Sequence, residues 1–261
     1  MPTRIPSTAL PLTPTFTPFP PYPTKKVLFE YYILGQHSYF DIFYADYRYD
    51  LPKIVLYEDG QMLVGRGQKV LSADEIQRFL SKLDILGFFS IESNQQYDPT
   101  DKLYDFGDNY QEVNDGLKYC ILVNTERSRN LCAQEDYIQY LIPEMKSIIK
   151  YLDEYQPTGL TPYEPDRILL SIEPVDSNSE AWSATATAWD KRLPSLESSP
   201  LTKYIDGPPA SILYFEGKTA QEIYDFLKNS SSQDLFMQDG KKYIVQVDVV
   251  LPHETVINAY Q

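Results

Sequence analysis

The chain holds two cysteines, Cys120 and Cys132, and two histidines, His37 and His253. Thiol catalysis needs a thiolate with a base within hydrogen-bond reach. Neither cysteine lies in a local signature of that chemistry. Both fall inside apolar runs that read as strands, LKYCILVN (117–124) and RNLCAQ (129–134). A turn centred on Glu126-Arg127-Ser128 would join these runs into a hairpin and set the cysteines opposite each other. Opposed strand residues have Cβ atoms about 4.5–5.5 Å apart, slightly wider than a relaxed disulfide but close enough to bridge. A Cys120–Cys132 disulfide is therefore expected, and a fully paired, even cysteine count fits an exported protein. The alternative is two buried thiols acting as small apolar residues. There is no G-x-S-x-G nucleophile elbow, so no catalytic residue is assigned.

Metal chemistry has one candidate. Two isolated histidines and two hairpin cysteines do not give zinc spacing. The segment YDPTDKLYDFGDNYQEVNDG (97–116) carries Asp98, Asp101, Asp105, Asp108, Glu112 and Asp115. Calcium takes several oxygen ligands from one flexible acidic loop, which makes Asp98, Asp101, Asp105 and Asp108 candidate ligands. Their spacing lacks the EF-hand rhythm, so a solvated acidic loop is the competing reading. VGRGQK (64–69) contains G-x-G without the rest of a dinucleotide or phosphate-loop fingerprint. A glycine pair ending a hairpin strand explains it better, and no cofactor is expected. With 37 acidic residues, carboxylate pairs arise by chance. A glycosidase needs two of them at a fixed separation across a cleft, which sequence does not reveal.

Aromatic residues offer a binding surface. Tyr31, Tyr32, Tyr39, Phe40, Tyr44, Tyr47 and Tyr49 crowd one region, and Trp182 and Trp189 lie in a later loop. Exposed rings stack on sugars and anchor protein partners. Tyr44, Tyr47, Tyr49, Trp182 and Trp189 are the candidates for that role. Tyrosine also favours strands, and strand alternation would turn half of these rings into a core.

The elements that must position these residues can be read along the chain. Residues 1–24 contain eight Pro and six Thr. Proline fixes φ and removes a backbone donor, so this segment is expected to be a disordered stalk. In polyproline form it would reach about 70 Å. VLFEYYIL (27–34) and SYFDIFYADY (38–47) read as strands. IVLYEDGQMLV (54–64) reads as a hairpin turning at Asp59-Gly60 in a type I′ turn. Ser72 and Glu75 form a capping box ahead of a helix whose apolar face is Ile76, Phe79, Leu80 and Leu83, with Gly87 as its stop. A second helix spans about 143–155, with Pro143 in its first turn. QPTGLTPYEPD (156–166) reads as a boundary. RILLSIEPV (167–175) and SILYFEG (211–217) read as strands. Thr219 and Glu222 suggest a second capped helix, and KYIVQVDVVLP (242–252) a final strand. Strands and helices do not alternate regularly, which disfavours a doubly wound parallel sheet.

The expected architecture is α+β: a stalk (1–24), an N-terminal α+β domain (25–156), a linker (157–166) and a C-terminal α+β domain (167–261). Each domain is a small antiparallel sheet packed with one or two helices. The net charge of −14 argues against nucleic acid, because phosphate binding needs clustered Lys and Arg. No stretch is long and apolar enough to span a bilayer. The first residues lack a basic region followed by an apolar run, so an exported form would have had its signal removed.

The segment LPKIVLYEDGQMLVGRGQKVLSADEIQRFLSKLDILGFFSI (51–91) resembles a pattern of uncharacterised bacterial surface lipoproteins. There a P-x-hydrophobic-L-Y-x-D-G hairpin precedes a capped helix ending in L-x-x-L-G-F-F. KYCILVN (118–124), LPSL (193–196) and KYIVQVDVVLPHE (242–254) fit the same arrangement. The Thr/Pro stalk resembles the spacer that follows the lipid-modified cysteine of such proteins. The resemblance implies an extracytoplasmic protein tethered to the cell surface, with a lipid anchor lost along with the native N-terminus. It transfers no catalytic residue. The expectation is a non-enzymatic binding or interaction module for an unknown protein or glycan. The alternative is an extracytoplasmic hydrolase acting on polysaccharide or peptide.

Overall fold

The computed structural model describes residues 25–34, 52–112, 116–178, 183–197, 211–230 and 235–254. The Pro/Thr segment, the 38–47 run, Tyr44, Tyr47, Tyr49 and Trp182 lie outside them. The architecture is α+β, with two sheets and three α-helices among the described residues.

The first sheet is built from β1 (Val27–Leu34), β2 (Ile54–Tyr57), β3 (Gln61–Val64), β4 (Gly67–Val70), β5 (Lys118–Val123), β6 (Arg129–Gln134) and β7 (Thr161–Pro162). Its order is β6-β5-β1-β2-β3-β4-β7, antiparallel throughout. The stretch expected as a linker thus supplies this sheet with an edge strand. α1 (Ala73–Ile85) and α2 (Pro143–Asp153) cover one face. Alternation sends Phe29, Tyr31, Ile54, Leu56, Ile121 and Leu131 to that face, where they join Phe79, Leu83, Met145 and Ile148 in the main core. Successive strand residues point to opposite faces, so Glu30, Val55, Tyr57, Leu63, Cys120 and Cys132 point the other way.

The local chemistry explains the elements. Ser72 Oγ accepts from the Glu75 N–H at 3.3 Å, and Glu75 Oε2 accepts from the Ser72 N–H at 2.8 Å. This reciprocal pair satisfies donors that an α-helix leaves open at its start. Phe79 is 2 % exposed and meets Phe29 and Tyr155 edge-on at 4.8 and 4.9 Å. Burying such a ring contributes about 1.5–3 kcal/mol. Gly87, at φ +89, takes the left-handed conformation that ends the helix. Pro143 sits at the first position of α2, where its missing N–H costs nothing.

The second sheet contains β8 (Arg167–Pro174), β9 (Thr187–Ala188), β10 (Ser211–Glu216), β11 (Leu235–Gln238) and β12 (Lys241–Val249), in the order β10-β8-β12-β11-β9. It is antiparallel except for the short parallel β11–β9 pair. α3 (Gly217–Lys228) packs on it through Ala220 and Ile223, beside Ile168, Leu170, Ile172 and Phe236.

Two local expectations change. The β2–β3 hairpin turns over three residues, Glu58 to Gly60, with Gly60 alone left-handed at φ +86 and its N–H donating to Tyr57 O. This is a type I turn closed by a glycine bulge rather than a two-residue type I′ turn. Asp239-Gly240 is the turn with both residues at positive φ, 50° and 80°, as type I′ demands. Thr219 does not cap α3. Strand β10 runs straight into the helix at Gly217, whose N–H donates to Asp166 O, so Glu216 is the N-cap and Thr219 lies inside.

Candidate functional site

A third, smaller core joins the two sheets. Val27, Val55, Tyr57 and Leu63, on the face of the first sheet away from its helices, pack against Tyr163 and Leu251. Polar groups sit at its centre. Glu30, in the middle of β1, is only 3 % exposed. Its register neighbours are Val55 on β2 and Leu122 on β5. His253, just beyond β12, brings Nε2 to 3.5 Å from Glu30 Oε1 and Nδ1 to 3.0 Å from the Tyr57 hydroxyl. A carboxylate, an imidazole and a phenol from two sheets thus meet at one point.

The segment carrying His253 is held on both sides. Arg167, at the start of β8 and 3 % exposed, donates from Nη2 to Leu251 O and from Nη1 to Glu254 O, the latter at 3.2 Å. Glu254 Oε2 accepts from the Leu251 N–H at 2.7 Å. The Lys25 N–H donates to Pro252 O, while its ammonium lies 5.7 Å from the Tyr57 ring centre and 2.5 Å from Asp59 Oδ2. Burial pushes the Tyr163 phenol up to about 12, with Asp166 adding to the effect. Sequence reasoning passed over Glu30, Tyr57 and Arg167. Their signals were an acid inside VLFEYYIL and an arginine opening RILLSIEPV, charges that a strand interior tolerates only when they are partnered.

A second polar cluster lies at the margin of the main core. Lys53 Nζ is 2.7 Å from Asp153 Oδ1 and 5.1 Å from the ring centres of both Tyr31 and Tyr119. The buried Tyr31 hydroxyl donates to the same carboxylate oxygen at 3.0 Å. Burial, then the Asp153 charge, pushes the Tyr31 phenol well above its ordinary range. The lysine occupies the aromatic surface that its neighbours create.

Among the described residues, the aspartates of the acidic loop do not converge on one point. Asp98 accepts from the Thr100 N–H and hydroxyl at 2.8 and 2.6 Å, bonds that hold its carboxyl below the usual range. Asp101 is 1 % exposed, accepting from the Ser93 hydroxyl and the Leu103 N–H, both at 3.0 Å. Asp105 and Asp108 are exposed. Among the described residues no group of three His, Cys, Asp or Glu side chains converges to hold an ion. The loop instead finishes the sheet edge: Gln95 Nε2 donates to Asn130 O, and the Tyr104 hydroxyl accepts from the Gln134 N–H. Its rings Tyr104, Phe106 and Tyr110 pack with Tyr137.

Trp189 is a core residue, 5 % exposed, edge-on to Phe226 and Phe236, with its indole N–H donating to Pro194 O at 2.9 Å. A ring so enclosed cannot offer a stacking face, which removes it from the candidate binding residues. Cys120 and Cys132 form the expected disulfide.

No protein family matches the chain, and neither a curated protein nor a solved structure is similar to it.

Proposed function

We propose that the protein is a non-enzymatic, extracytoplasmic module that binds a protein or glycan partner and is tethered to the cell surface through its Pro/Thr segment. The observation that carries this reading is the disulfide between the chain's two cysteines, a bond that persists in oxidising compartments. The tether and a lipid anchor follow from the stalk composition and from the resemblance to bacterial surface lipoproteins. The charge of −14 points the module toward partners other than nucleic acid.

The buried carboxylates serve the fold. Glu30 and Asp101, the carboxylates buried among the described residues, belong to separate networks, one facing His253 and the other closing a loop. Neither forms the facing pair that glycoside hydrolysis requires.

Two measurements test the proposal. Fractionation of cells producing the native gene product should place the chain outside the cytoplasm; a reduced cytoplasmic pool would refute the location. The immobilised full chain should retain a defined glycan from an array, or a surface protein from an envelope extract. Hydrolysis of a polysaccharide or peptide panel without retention would favour the hydrolase.

A further inference from the structure

We infer that the Glu30–His253–Tyr57 contact is a proton-responsive clasp between the two sheets, tightest when the imidazole is protonated. Glu30 reaches this point from the middle of a strand, between two apolar neighbours, with its side chain only 4 % exposed. A buried carboxylate is costly unless a cation and hydrogen bonds face it. His253 supplies a ring nitrogen at 3.5 Å, from a side chain itself 15 % exposed. Protonation turns that nitrogen into a charged donor toward Glu30 and leaves Nδ1–H to donate to the Tyr57 oxygen. Deprotonation keeps the contacts but removes the charge attraction, which is strongest where water is excluded.

The surrounding charges, among the described residues, come from every element at the joint. β1 brings Glu30, with Lys25 just before it, and β2 brings Tyr57, with Asp59 just after it holding the Lys25 ammonium. Arg167 comes from β8, with Tyr163 close to it in sequence. Glu254 flanks the histidine on its own segment. The Arg167 guanidinium is engaged by the Leu251 and Glu254 carbonyls, and the Glu254 carboxylate by the Leu251 N–H. Glu30 brings a carboxylate to 3.5 Å from the ring, so the imidazolium has an opposite charge in reach.

The consequence is mechanical. β1 and β2 belong to the first sheet, whereas His253 follows the last strand of the second. Among the described residues the apolar part of the joint is small: Val27, Val55, Tyr57, Leu63, Tyr163 and Leu251. A histidine changes charge between about pH 5 and 8, so the grip of one sheet on the other should weaken as pH rises through that range. This inference does not depend on what the protein binds.

Thermal unfolding of the full chain at pH 5.5, 6.5 and 8, for the wild type, His253→Gln and Glu30→Gln, tests the clasp. The stability advantage of the wild type over each variant should shrink by about 3 °C from pH 5.5 to pH 8. An advantage that does not change with pH overturns the proposal. Should a variant fail to fold, the wild-type ring protons of His253 serve instead, with a His37→Gln chain leaving one imidazole to follow. Their titration should move the methyl signals of Val55 and Leu251 with the same midpoint. A ring that does not titrate, or that titrates with those methyls still, overturns it equally.

Discussion

Cys120 and Cys132 face each other directly across the β5–β6 ladder, with Cα atoms 4.1 Å apart and the two sulfurs bonded. Tyr32 on β1 pairs with Cys120 on its other side, so the bridge extends a row that runs across three strands. Closing a loop of this length restricts the unfolded chain, an effect worth about 2–3 kcal/mol. Denatured but unreduced protein should show no free thiol. The double variant Cys120→Ser, Cys132→Ser should fold with its stability reduced by that amount. Two titratable thiols in the native protein would remove both the bond and the main support for export.

Gly60 should be intolerant of any side chain. At φ +86, a Cβ there would lie 2.7 Å from Leu71 O, an atom fixed by the Leu71 N–H bond to Gly60 O. Backbone cannot yield as a flexible side chain would. Gly60→Ala should cost about 1–3 kcal/mol, read as a lower urea midpoint at unchanged slope. Gly65, also at positive φ but with nothing within 4 Å of an added Cβ, should lose less.

The sequence made local features legible and long-range ones illegible. The cysteine hairpin, the Ser72–Glu75 box and the Pro143 helix start all depend on residues within a few positions of one another, where spacing alone fixes geometry. The Glu30–His253 contact joins residues more than two hundred positions apart, and nothing in either local run announces the other. Thr219 shows the opposite failure. Its spacing to Glu222 satisfies the capping pattern, yet Gly217 lets the chain enter the helix three residues earlier. The 94–116 segment reads as polar because its acids are frequent. Its buried Leu103, Tyr104 and Phe106 follow no regular period, so periodicity could not find them.

Trp189 should behave as an interior anchor of the second sheet. Replacing it with alanine empties the space between Phe226 and Phe236 and should cost about 3–5 kcal/mol. Trp189→Phe keeps an aromatic ring but loses the bond to Pro194 O, so its cost should be smaller. Under the proposed binding role, partner retention by a folded Trp189→Phe chain should equal that of the wild type. A selective loss of binding without loss of stability would return this residue to the binding surface.

Phenols should resist alkali in the folded state. Burial pushes Tyr151 and Tyr163 up to about 12 from an ordinary value of 10.0. An acid held neutral by folding releases its proton more readily once unfolded, so stability falls as pH rises above about 10. Absorbance at the phenolate band should therefore rise in two stages, exposed tyrosines first and a second group near or during unfolding. A single step at the ordinary value would contradict the burial.

The cap on α1 predicts behaviour at the acid end. Glu75 is lowered to about 2 from 4.5, first by its bond from Lys69 and then by those from the Ser72 N–H and hydroxyl. A carboxyl depressed by folding stabilises the native state above its unfolded value, and that contribution is lost as pH falls toward the folded one. Wild-type stability should thus decline between about pH 4.5 and 2 with Glu75 contributing to the slope. Glu75→Gln should be less stable than the wild type at pH 6 and should approach it at pH 2. Ser72→Ala, which removes the hydroxyl that accepts from the Glu75 N–H, should cost about 0.5–2 kcal/mol and should also flatten the acid slope, because the same hydroxyl donates to Glu75 Oε2 at 2.9 Å. Parallel acid slopes in all three chains would show that the box, although formed, does not set the protonation of its glutamate.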